Sequence, residues 1–132
     1  MSASDLLEPT RDYLSEPRCA ILATLAVDGS PRQAVVHYSL AADHLLVNGR
    51  TDRLWCRNLR RDSRASLVVH DADEPLHWIG LSGRAQVAAV DEEAVAHAMQ
   101  LARRYSEDPE SYRTQERISF RIVPERVFER LP

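Results

Sequence analysis

Between Arg50 and Arg64 the sequence RTDRLWCRNLRRDSR sets six arginines against Asp52 and Asp62, a local balance of +4 in a chain of formal charge −3. Everything outside that segment therefore carries −7. Positive charge gathered at the start of a helix, where backbone N–H groups are also free, suits the docking of a polyanion such as a phosphate-bearing cofactor. Two plainer readings stand beside it: a solvated helix face, or arginines paired with glutamates across a dimer interface. Nucleic acid fits poorly, because the whole chain is acidic and no aromatic residues interleave with the arginines. All 17 basic residues are arginine and none is lysine. Residue type thus says little here, and placement carries the information.

The remaining chemistry-bearing residues are sparse. Gln33, Val35, His37 and Ser39 alternate along one strand face, so His37 is either a packed barrel histidine or a contact to a bound ring or substrate. His44, His70, His77 and His97 show no ligand spacing, which argues against zinc. A single histidine suffices for an axial haem ligand, so haem stays open. Trp78 falls on the strand face opposite Ile79, Leu81, Ala85 and Val87, where it either lines an interface or stacks near a ligand. Trp55 reads as core or as cofactor wall. Cys19 and Cys56 form no disulfide framework and read as small hydrophobes. There is no Ser-His-Asp set, carboxylate pair, Walker loop or CxxC. Without acid–base or nucleophilic apparatus, chemistry supplied by a bound cofactor is the better expectation than hydrolysis.

The elements that would position these residues follow from periodicity and turn signals. At 132 residues the chain is long enough for one domain, and 28% charged with 44% apolar residues is ordinary for a globular protein. No apolar run reaches the roughly 18–20 residues needed to span a bilayer. The start, MSASDLLEP, lacks the basic patch and apolar block of a secretory signal, so a cytoplasmic location is expected. A short helix is expected from Ser4 to before Pro17. Strands follow at 19–27, 32–40 and 44–49, separated by Asp28-Gly29-Ser30-Pro31 and Ala42-Asp43 turns. Thr51 reads as the N-cap of a helix over 52–61, with Arg53, Arg57, Arg60 or Arg61, and Arg64 along one face. A strand at 64–71 comes next, then a long one at 76–90 with a bend or bulge signalled by Gly80 and Gly83. Residues 91–105 form the clearest helix, with acids first and arginines last. Residues 117–131 read as a strand, Pro124, and a short final strand. Six or seven mainly antiparallel strands in hairpin order with about three helices make an α+β, barrel-centred fold.

In that order the chain resembles the split β-barrel flavin and deazaflavin oxidoreductases of the pyridoxamine 5'-phosphate oxidase superfamily. The likeness runs from about Pro17 to Pro132 and rests on ATLAVDGSPRQAVV (23–36), RNLRRDSRASLVV (57–69) and GLSGRAQV (80–87). The middle segment is similar to the actinobacterial branch that uses the deazaflavin F420. The resemblance implies a homodimer with cofactor in a groove between subunits, the ring lying along Gln33 to Tyr38 with Gln33, Val35, Val36 and His37 beside it. It implies phosphate and an acidic tail held by Asn48 to Arg57, through Asn48, Arg50, Thr51, Arg53, Trp55 and Arg57, with Trp78 bounding the pocket. The reaction implied is hydride transfer from F420 to a small unsaturated or carbonyl-conjugated substrate; FMN, or haem or lipid storage without catalysis, are the alternatives. The sequence departs from the family pattern at two places: Asn48-Gly49 stands where Ser-Thr is usual, and Trp55 where a phosphate-holding lysine is usual.

Overall fold

The computed structural model describes residues 3–131. A single turn of 3-10 helix at Ala3–Asp5 precedes α1 (Glu8–Ser15). The opening helix thus begins later than expected, at Glu8, and Pro9 sits in its first turn, where a missing N–H costs nothing. The strands are β1 (Ala20–Leu25), β2 (Pro31–Val36), β3 (Tyr38–Leu40), β4 (Leu45–Arg50), β5 (Arg64–His70), β6 (Trp78–Val90) and β7 (Arg117–Arg130). Between them lie α2 (Leu54–Arg61) and α3 (Asp91–Arg104).

All seven strands belong to one antiparallel sheet in the order β2-β1-β5-β6-β7-β4-β3. The expected strand over 32–40 is in fact two. It breaks at His37, and β2 and β3 end up at opposite edges of the sheet, joined by that one residue. One residue can join the two edges only if the sheet rolls up until they meet. The result is a barrel left unlaced along one seam, an α+β split barrel as expected.

The core follows from alternation. Inward residues Leu22, Tyr38, Leu45, Val47, Leu67, Val69, Ile79, Leu81, Ile118, Phe120 and Ile122 are at most 3% exposed. Burying such side chains from six of the seven strands supplies the main stabilisation of the fold. The bend expected in the long sixth strand is a bulge at Gly83, where the register against β7 skips Glu125. A Cβ at Gly83 would lie 2.0 Å from the Val123 carbonyl oxygen, so only glycine fits that approach. Pro124 is absorbed at the same bulge, and β7 runs through it unbroken instead of splitting in two.

The second helix also differs from expectation. Thr51 is not its N-cap: Thr51 N–H donates to the Glu116 carbonyl 3.1 Å away, and the cap position belongs to Arg53. Arg64 lies in β5, so it does not continue the helical arginine face. Buried Asn58 fixes α2 on the barrel by donating to Thr24 Oγ1 at 3.1 Å. Helix α3 turns Ala94, Ala98, Leu101 and Ala102 inward, and the three alanines leave room beside the sheet.

Candidate functional site

That room is a cavity of about 520 Å³, a usual size for a small-molecule site. One wall is the end of β2, Ala34 to Val36, with His37. The opposite wall is the end of β4, Asn48 to Arg50, with Arg53 and Trp55 from the entry to α2. Ala98, Leu101 and Ala102 of α3 form the third side, and Tyr112, Gln115 and Arg117 close the end. Among the described residues, three arginines and no carboxylate line it. An apolar strand edge thus faces a cationic end.

The floor of the cavity is set by Gly49. A Cβ there would lie 2.4 Å from Cζ2 of Trp55 and 2.8 Å from Cys56 Sγ. The glycine therefore makes space for the indole, which also packs 6.2 Å from the Phe120 ring at a tilted angle. The two departures from the family pattern, at 49 and at 55, occupy one volume. Trp55 is half-buried and forms part of the wall, and the cavity stays open beside it.

Asn48 does not offer its side chain to the cavity as a hydroxyl substitute. It is buried, its amide donates to the Ala94 carbonyl and to Ser119 Oγ, each at 2.8 Å, and its Oδ1 accepts from Arg117 Nε at 2.9 Å. Arg117 also donates from Nη1 to Gln115 Oε1 at 2.7 Å and lies 4.9 Å from the Tyr112 ring centroid. Burial holds its guanidinium below the usual value, with Arg50 and Arg53 pushing the same way. Arg50 instead grips Asp52 with two N–H groups, at 3.1 and 2.9 Å, and keeps that carboxyl low.

His37 sits at the seam with its ring stacked on Tyr105, centroids 3.7 Å apart and 4° between planes. Its Nδ1 lies 3.1 Å from Glu107 Oε1. The ring is thus oriented by two partners at the cavity rim.

Of the residues singled out from sequence, Val35, Val36, His37, Asn48, Arg50, Arg53 and Trp55 meet at this cavity. Gln33 and Trp78 do not. They line a separate groove of about 270 Å³ with Phe128 on the sheet's outer face. Thr51 borders a third hollow with Asp52 and Glu116. Arg57 is exposed on α2 and lines none of these. Arg117, Gln115 and Tyr112 were missed, since nothing local to 109–117 signals that β7 starts opposite Arg50 at the end of β4. Among the described residues no three His, Cys, Asp or Glu side chains cluster as a metal site, and no helix is long and apolar enough to cross a membrane.

A family model described as pyridoxamine 5'-phosphate oxidase matches residues 6–131. Among solved structures, one named F420 reductase superposes with a TM-score of 0.81 at 21% identity, covering 95% of this chain and all of that one. A conserved hypothetical protein, Rv2991, from Mycobacterium tuberculosis gives 0.74 at 22%, covering 95% and 85%. The haem storage protein HutZ from Vibrio cholerae gives 0.74 at 20%, covering 93% and 94%. Identities this low carry the shared split-barrel fold and nothing finer.

Proposed function

Because the chain belongs to the pyridoxamine 5'-phosphate oxidase family, we propose that this single-domain protein is an oxidoreductase that binds the deazaflavin F420 and passes hydride from its reduced form to a small unsaturated or carbonyl-conjugated molecule. The observation that carries the reading is the lining of the 520 Å³ cavity: an apolar strand edge and an indole together with three arginines and, among the described residues, no carboxylate. That polarity matches a flat ring joined to a phosphate and an acidic tail.

The ring would lie against the Ala34–Val36 backbone and the phosphate near Arg50 and Arg53. Arg57, exposed beyond the cavity, would meet only a long tail. F420 when bound supplies the hydride; the residues of this chain position it and exclude water. Val35 on the cavity wall and Leu54 at the start of α2, 71% and 52% exposed, are apolar surface that a second copy would cover in a homodimer. A cytoplasmic location accords with such a role.

FMN fits the same polarity. Haem is favoured by a separate observation, since His37 stands at the rim with Nδ1 beside Glu107, an arrangement that orients an axial ligand. Anaerobic mixing of the protein with reduced F420 and a panel of enones and quinones discriminates these readings. Substrate-dependent return of the 420-nm band supports the reductase. Absence of turnover together with a Soret band on adding haem would replace it by the haem-binding reading.

A further inference from the structure

Arg117 differs from the arginines that are paired with a carboxylate. Arg50, Arg64 and Arg113 each fork a neighbouring carboxylate, Asp52, Asp62 and Glu110. Arg104 is occupied by four main-chain carbonyls. Arg117 is half-buried, yet its hydrogen-bond partners among the described residues are the neutral Asn48 and Gln115, and Tyr112 lies against its face. Two of its five N–H groups are engaged in these bonds, and the residue lines the cavity.

The side chain is also held in place from behind. Asn48 is anchored to the Ala94 carbonyl and to Ser119 Oγ, which lies 2.8 Å from His97 Nδ1. The row His97–Ser119–Asn48–Arg117 is a hydrogen-bonded network whose last member is a cation. Neutral partners orient a charge without cancelling it. A cation withdrawn from water with no counter-charge is costly, and among the described residues no carboxylate lines the cavity to supply one.

We propose that Arg117 is the anion anchor of the cavity, binding a phosphate oxyanion of the ligand through its unengaged N–H groups and selecting phosphorylated over unphosphorylated ligands. This rests on reading the cavity as a cofactor site, and it makes Arg50 and Arg53 supporting cations. Arg50 already shares its charge with Asp52.

The test compares ligand pairs that differ only beyond the ring: FMN with riboflavin, and F420 with its phosphate-free deazaflavin core. In the unmodified protein the phosphorylated member should bind about tenfold tighter or more. Arg117→Gln should reduce that preference to within about threefold while leaving the unphosphorylated member's affinity unchanged; Arg117→Lys, which keeps charge without the fork, should fall between. A preference absent in the unmodified protein, or surviving in a folded Arg117→Gln, overturns the assignment. If neither pair binds, the cofactor reading fails, and inorganic pyrophosphate decides the anchor separately. It should raise the thermal midpoint above that in chloride of equal ionic strength, and not in Arg117→Gln. No rise in the unmodified protein, or an equal rise in the variant, overturns the anchor too.

Discussion

Gly49 and Trp55 show how two residues that look like losses become one local structure. From sequence they remove a hydroxyl and an ammonium from a phosphate site. In the fold the missing Cβ of Gly49 admits the indole, while the neighbouring Asn48 turns inward to hold Arg117, 69 positions away. No local pattern announces a contact across that distance, so the cation at 117 was invisible and the one at 53 was not. Gly49→Ala should therefore cost about 1–3 kcal/mol by overpacking. In a Trp55→Ala background the cost should drop by about 1 kcal/mol, measured as coupling in a denaturant double-mutant cycle. Additive costs would mean that the indole does not occupy that volume. Cys56 lies under the same glycine, and burial pushes its thiol up to about 12. Relative to an ordinary thiol near 9 its thiolate fraction falls about a thousandfold. Iodoacetamide at pH 8 should label exposed Cys19 and spare Cys56 until the protein unfolds.

Among the elements, the junction of α1, β3 and α3 is the seam's brace. Arg104, at the last turn of α3, donates to Tyr38 O and Ser15 O at 3.0 Å, to Glu16 O at 2.9 Å and to Leu14 O at 3.4 Å. It thereby satisfies the orphan carbonyls at the end of α1 while sitting favourably in its own helix dipole. The Tyr38 hydroxyl donates into the same group, with Leu14 O at 2.9 Å. Arg104→Ala should destabilise the protein by about 1–3 kcal/mol through the freed carbonyls, read as a lower urea midpoint; a change under about 0.5 kcal/mol would show that water replaces the guanidinium. The long helix at 91–104 was legible because acids and arginines mark its ends. The break at His37 was not, since 32–40 alternates without a turn residue and only barrel closure divides it. Thr51 failed as a cap for a comparable reason: its N–H is claimed by Glu116 across the chain.

For the molecule as a whole, hairpin order and two-sided apolar strands already implied a closed antiparallel architecture, and the family motifs named it. The cavity was half legible. Its walls come from segments singled out in advance, but α3 and the start of β7 reach it only through the sheet order β6-β7-β4. Closure also gives the protein a common response to alkali. Burial raises the pKa of Tyr13, Tyr38, Tyr105 and Tyr112, and that of Cys56. Each group is held neutral in the fold and ionises more readily once unfolded. Their contribution is fully present below the unfolded values, about 9–10, and is lost as pH rises through the folded ones. The urea midpoint should be level from about pH 7 to 8.5 and fall steadily above pH 9. A midpoint that holds to pH 11 would contradict the burial of these groups.

The central claim is that the arginine-ended cavity receives a phosphorylated redox coenzyme, and titrating the purified protein with F420 while following its fluorescence tests this most directly. Saturable binding in the micromolar range, weakened by salt and by Arg117→Gln, is the expected result. No binding to a folded protein at millimolar F420, with FMN equally inert, would contradict it.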